Sequence, residues 1–109
     1  NRGHNNDVAV YADAEVVKNH LRYAQIRAMN SDVSWGINFS GNSYTLEDVS
    51  SNPASLPGEM PTNVSYVSNV NPVMFDLRGS PGATQVTITL TKGGSSSSIT
   101  VTQNTGFIP

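Results

Sequence analysis

Two periods of apolar residues divide this chain. From Val10 to Ala28, the apolar positions Val10, Ala14, Val17, Leu21, Ala24 and Ala28 recur at spacings that alternate between four and three. At about 100° per residue they fall on one narrow stripe, which predicts a helix over 10–30 that buries a single face. Glu15, Lys18 and Arg22 fall mostly on the far side. The stripe is rich in alanine, so the helix can lie close to whatever it packs on. Asn30 and Ser31, with Asp32 just beyond, predict its end. Ahead of the stripe, Asn-Arg-Gly-His-Asn-Asn has no such period, and 1–9 reads as a flexible lead-in.

After Asp32 the period becomes two. Val33, Trp35, Ile37 and Phe39 alternate with Ser34, Gly36 and Asn38, the strongest strand signal in the chain. Ser40-Gly41-Asn42-Ser43 supplies turn chemistry, and Tyr44 and Leu46 begin a returning strand, so 33–47 reads as a hairpin. Serines, Asn52, Gly58 and the prolines at 53, 57 and 61 make 48–63 a loop. Val64, Tyr66 and Val67 predict a short strand, and Val73, Phe75 and Leu77 another. Arg78-Gly79-Ser80-Pro81-Gly82 is a turn. Val86, Ile88 and Leu90 pair with Ile99 and Val101 across a flexible tip of Gly93-Gly94 and Ser95 to Ser98. Phe107 and Ile108 suggest a last edge strand. One helix followed by five to seven antiparallel strands over 33–109 is an α+β arrangement, with the helix's apolar stripe covering a face of antiparallel sheet.

Composition narrows the classes of function. A chain of 109 residues fits one domain and can bury a real core without a disulfide or metal staple. Charged residues make up 13%, about half the usual share. The net charge of −2 gives no positive field for nucleic acid. The absence of cysteine excludes disulfides, thiolate zinc sites and thiol catalysis. No run of about 20 apolar residues is present to span a membrane, and no signal peptide is visible. The chain begins at Asn1 rather than Met, which points to processing or truncation upstream.

The residues offer little catalytic chemistry. His4 and His20 have no histidine at i+4 and no carboxylate at metal-ligand spacing, and both read as surface histidines. Glu47 and Asp48 are adjacent on a strand and point to opposite faces, so they do not converge as an acid/base pair. A calcium role for 48–63 is conceivable, although no D-x-D-x-D-G pattern supports it. The serines lack both a G-x-S-x-G elbow and a positioned base. The expectation is therefore no catalytic site, cofactor or metal. Trp35 and Phe75 read as core, while Tyr44 and Tyr66 stay open between core and a sugar or peptide platform. Arg78 reads as structural, bonding turn carbonyls.

One resemblance adds to this picture. Tyr23-Ala24-Gln25-Ile26-Arg27-Ala28-Met29-Asn30, followed by Val33, Trp35 and Gly36, resembles the helix end and first strand of GspH/FimT-like pseudopilins and minor type IV pilins. Phe75-Asp76-Leu77-Arg78-Gly79 is similar to the family's Phe-x-x-Arg-Gly segment. A closing hairpin and then Gly106, Phe107 and Ile108 complete a likeness over residues 12–108. The resemblance implies a pilin-like head whose prepilin leader is cut by a prepilin peptidase and whose preceding apolar helix anchors it in the bacterial inner membrane. The head would be periplasmic or extracellular, and the partners would be other pilins or pseudopilins of a type II secretion pseudopilus or type IV pilus. Glu15, Lys18, Arg22 and Ile26 on the helix are the candidate subunit contacts. Some relatives bind DNA through a basic tail, but 103–109 holds no Arg or Lys, so no nucleic-acid partner is expected. Some major pseudopilins hold calcium in a C-terminal loop, but 93–109 has no carboxylate side chain. The alternative reading is an extracellular β-rich binding or adhesion module.

Overall fold

A computed structural model describes residues 2–109, with side chains placed from residue 6 onward. Helix α1 (Arg2–Met29) is followed by strands β1 (Trp35–Ser40), β2 (Ser43–Asp48), β3 (Pro53–Ala54), β4 (Ser65–Ser68), β5 (Val73–Phe75), β6 (Val86–Lys92) and β7 (Ser95–Val101). The strands form two antiparallel sheets rather than one. Their orders are β3-β2-β1-β5 and β4-β6-β7. The helix packs against both, touching β1 and β5 of the first and β6 and β7 of the second.

The helical stripe is buried as its period requires. Val10, Ala14, Val17, Leu21, Ala24 and Ala28 are each no more than 2% exposed. Val10, Val17 and Leu21 each contribute about 1.5–3 kcal/mol through burial, and the alanines set the close approach of helix to sheet. The helix starts at Arg2, well before the predicted Val10. The hairpin tip explains the difference: the Asp7 carboxylate accepts a hydrogen bond from the Ser95 hydroxyl, and Asn6 lies against Gly93. These contacts hold a polar turn that has no apolar stripe of its own. At the other end, Asn30 gives both its backbone N–H and its side-chain amide to the Ile26 carbonyl, at 3.0 and 2.9 Å.

Both hairpins close through two-residue turns with glycine first, Gly41-Asn42 and Gly93-Gly94. Gly41 and Gly93 have φ of 61° and 58° while the second residue of each turn does not have positive φ, as in a type II′ turn. The predicted strand at 33 starts instead at Trp35, because the Ser31 hydroxyl accepts the Val33 N–H at 3.0 Å and holds that residue in a bend. Ser95 to Ser98 belong to β7 and not to a flexible tip. Each pairs with a β6 residue, and Ser95 and Ser97 turn toward the interior while Ser96 and Ser98 face out.

The 48–63 loop contributes one short edge strand, β3, where Pro53 sits at a position needing no further ladder donor. Leu77 lies outside β5 and is exposed. The predicted strand at 107–108 is a turn: Thr102 gives its N–H to Phe107 O at 2.9 Å and Gly106 gives its own to Thr102 O at 2.8 Å. Ile108 is buried by this turn and Phe107 faces solvent. Asn71 extends β1 beyond β5, its side-chain amide exchanging two hydrogen bonds with the Phe39 backbone at 2.9 and 2.8 Å.

Candidate functional site

The residues expected to make subunit contacts are spread along the outer flank of α1. Lys18 and Glu15 pair with each other at 2.7 Å, and Lys18 is largely covered. The Arg22 guanidinium donates to Asn19 Oδ1 at 3.2 Å and to the Ile108 carbonyl at 3.0 Å, which ties the tail to the helix. Ile26 alone of the four is well exposed and apolar. Lys18 and Arg22 thus already engage their charges within the chain, while Ile26 remains free to meet another surface.

The three stretches that carry the pilin resemblance meet at Gln25. Its side-chain amide donates to the Gly79 carbonyl at 2.7 Å and to the Gly106 carbonyl at 2.9 Å. Gly79 and Gly106 are buried, with φ of 83° and 75°. An added Cβ at Gly106 would collide with the Gly79 carbonyl and the Gln25 amide. Glycine is therefore needed there for both backbone conformation and space. Asp76 builds the preceding turn. Its Oδ1 accepts the N–H groups of Arg78 and Ser80, both at 2.9 Å, and its carbonyl accepts that of Gly79. The Arg78 side chain, expected to bond turn carbonyls, is exposed and makes no hydrogen bond among the described residues; the Asp76 carboxylate organises the turn instead, with fewer rotatable bonds.

His20 is buried, not on the surface. It lies on the flank of the stripe, between Val17 and Ala24 on the helix, and the 48–63 loop folds over that flank. Its Nε2 donates to the Pro57 carbonyl at 2.7 Å, so in the neutral ring Nδ1 accepts from the Tyr44 hydroxyl at 2.5 Å. Tyr44 and Tyr66 are also buried, and with Phe39 they form an aromatic cluster with centroids 5.3–5.4 Å apart. Burial, reinforced by Tyr66 and Asp13, pushes the Tyr44 phenol well above its ordinary range. Burial and then Asp13 push Tyr66 up to about 12. The Tyr66 hydroxyl has no hydrogen-bond partner among the described residues. These rings are core, and they present no platform to a sugar or peptide. Asp13 is itself held by Lys92 at 2.9 Å, which also donates to the Thr62 carbonyl at 3.2 Å.

Phe75 is fully buried, but Trp35 is only half-buried. The Arg27 guanidinium lies 4.1 Å from its ring centroid, and its indole N–H donates to Ser31 Oγ at 3.2 Å. In the 48–63 loop, Asp48 accepts from the Ser50 and Asn52 N–H groups at 2.9 Å and from the Asn52 side chain at 3.0 Å. Those bonds, the Asn52 backbone foremost, hold its carboxyl below the usual carboxylate range. Among the described residues no three His, Asp or Glu side chains gather at metal-ligand distance. No enclosed pocket forms among them, and no helix is long and apolar enough to cross a membrane. The His4 side chain lies outside the described residues.

Asp7, Asp13, Gln25, Asn71 and Lys92 also make long-range polar contacts, and the sequence pattern marks none of them for such a role. Their partners are distant in sequence, and a lone polar residue beside a helical stripe gives no local signal of them. No family model matches this chain, and neither does any curated protein or solved structure.

Proposed function

We propose that this chain is the head of a pseudopilin or minor type IV pilin, a structural subunit without catalytic chemistry. The observation that carries the reading is the convergence at Gln25. The helix end, the Phe75–Gly79 segment and Gly106 are far apart in sequence, and each resembles that family on its own residues. Their meeting at one half-buried side-chain amide is what a common architecture would require. The placement of a long helix ahead of an antiparallel β body supports the same reading. In it, an apolar helix preceding Asn1 anchors the subunit in the inner membrane, the head is periplasmic, and Ile26 helps α1 meet neighbouring subunits.

The test is expression of the full-length encoded protein in a bacterium with its prepilin peptidase present or deleted. The expected result is a peptidase-dependent shortening, with the head digestible by protease added to the periplasm. Maturation that is unchanged without the peptidase overturns the reading. A sugar- or peptide-binding module would need exposed aromatic rings on the sheets, and Phe39, Tyr44 and Tyr66 are buried.

A further inference from the structure

After β3 ends at Ala54, residues 55–60 run over the His20 flank of α1 with little to hold them. Leu56 is half-buried against the core, and the other five are exposed. Among the described residues two polar contacts fix this segment. Pro57 O accepts from His20 Nε2 at 2.7 Å, and Met60 Sδ accepts the Tyr44 N–H at 3.1 Å. Pro57-Gly58, with φ of 76° at Gly58, suits a type II corner, in which the Pro57 carbonyl takes no part in the turn's own hydrogen bond and can reach the helix. Tyr44 stands beyond β3, which pairs only with Leu46 and Glu47. It faces Phe39 as a non-hydrogen-bonded pair of the β1–β2 hairpin, so its N–H points to the open side of β2, where the loop's methionine covers it.

Both nitrogens of the buried His20 ring are engaged, Nε2 as donor and Nδ1 as acceptor, a pattern that only the neutral ring satisfies. A proton added at Nδ1 faces the Tyr44 hydroxyl, whose own hydrogen then needs another acceptor. That hydroxyl makes no second hydrogen bond among the described residues, and the Tyr66 hydroxyl of β4 makes none. No carboxylate there forms an ion pair with the ring. On α1, Asp13 acts on the Tyr44 and Tyr66 phenols but is held by Lys92 of β6, Glu15 is paired with Lys18, Arg27 lies over Trp35, and Tyr23 makes no hydrogen bond to the ring. On β2, Glu47 points to the face opposite Tyr44, and Asp48 is bonded within its own turn. Glu59 of the loop is exposed. A cation on this ring would be buried and unpaired, which disfavours the closed loop.

We propose that His20 is a proton-operated latch on the 48–63 loop: proton uptake by the ring releases the Pro57 carbonyl, the segment from Leu56 to Met60 lifts, and the Tyr44 edge of β2 is uncovered. The two sheets and the β3 pairing stay in place, because none of their ladder bonds involves the ring. The direction follows from the bonding pattern. The closed loop holds the neutral ring, so closure is favoured above the histidine range and lost as pH falls through it. A ring that takes its proton only with the loop open, at the ordinary value of about 6.5, favours opening about thirtyfold more at about pH 5 than at about pH 7.5. Ordinary carboxylates titrate lower, near about 4, and stay charged over this range. The latch uses neither Ile26 nor an upstream helix, so it stands independently of the filament reading.

Amide hydrogen exchange at Tyr44 reads the opening directly, because the loop's Met60 is what accepts that N–H. Corrected for the intrinsic pH dependence of exchange, Tyr44 protection in the 109-residue chain should fall about thirtyfold between about pH 7.5 and about pH 5. Amides of the β6–β7 ladder should keep theirs. His20→Gln retains a donor for the Pro57 carbonyl and an acceptor for the Tyr44 hydroxyl without a group that titrates, so its Tyr44 protection should not change with pH. His20→Leu, which fills the site but bonds neither partner, should give low protection at both pH values and serves should the glutamine variant fail to fold. Wild-type protection at Tyr44 that does not fall in acid overturns the proposal. So does an equal fall in either variant, or a loss of β6–β7 protection in step with Tyr44.

Discussion

Gly106→Ala tests how tightly the Gln25 junction is built, and Gly58 provides its control. The two glycines have almost the same φ, 75° and 76°. Alanine incurs the same left-handed backbone cost at both sites, about 1–2 kcal/mol, with the same small gain from a less flexible unfolded chain. Only their surroundings differ. A Cβ at Gly58 meets nothing within 4 Å, whereas at Gly106 it strikes the Gly79 carbonyl and the Gln25 amide. The carbonyl is backbone within a turn held by Asp76, so it cannot step aside as a side chain would. Overpacking of this kind costs about 1–3 kcal/mol, and displacing the Gln25 amide also weakens two hydrogen bonds of about 0.5–1.5 kcal/mol each. Gly106→Ala should therefore be less stable than Gly58→Ala by about 2–5 kcal/mol. Urea denaturation at matched m-values gives the difference directly from the two midpoints. Equal midpoints would refute the reasoning, because they would mean that the junction is loose enough to admit a methyl group.

Two further outcomes follow from the aromatic groups. The chain has one tryptophan, so its fluorescence reports only on Trp35; Arg27→Ala should shift the emission to the red and cost about 0.5–1 kcal/mol of stability, and an unchanged spectrum would remove the guanidinium from the ring. Tyr44 and Tyr66 should ionise only as the chain unfolds in alkali. A phenol raised by folding stabilises the chain fully below its unfolded value of 10.0, and this is lost as pH climbs toward about 12. At about 1.4 kcal/mol for each pH unit, the loss from Tyr66 alone is on the order of 3 kcal/mol, and the burial of Tyr44 adds to it. An ultraviolet titration in which Tyr44 and Tyr66 ionise while the fold persists would contradict this.

Elements set by their own residues are legible in the amino-acid sequence. The six stripe positions of α1 are all buried, because a period near 3.6 leaves a helix one face to hide. The Trp35–Asp48 hairpin and the β6–β7 hairpin also follow from alternation and turn glycines. Most departures share one cause. Helix at 2–9, the strand character of Ser95 to Ser98 and the burial of His20 all depend on groups supplied by another part of the chain, while the bend at Val33 is set locally by Ser31. Serine has no strong strand preference, yet at Ser95 to Ser98 the β6 ladder supplies one. His20 looks like a surface residue beside a stripe until a loop near Pro57 brings its carbonyl to the ring.

The same distinction explains why the candidate site is only half visible in the sequence. Gln25, Gly79 and Gly106 each belong to a short stretch with its own resemblance, but nothing local links a glutamine to carbonyls 54 and 81 residues away. A helix surface glutamine costs little in any sequence. What gives Gln25 its role is that two buried glycine carbonyls arrive there with no other donor from their own turns, and a single amide nitrogen has two hydrogens to give. Replacing that nitrogen with a group of one hydrogen, or with an oxygen as in Gln25→Glu, leaves at least one buried carbonyl unpaired and costs about 1–3 kcal/mol for each. The junction therefore constrains residue type more sharply than any apolar position on the stripe, where one aliphatic side chain can stand in for another of similar volume. In an otherwise permissive β body, this is where a change of one residue alters how the tail sits against the helix, and with it the flank on which Arg22 and Ile26 lie.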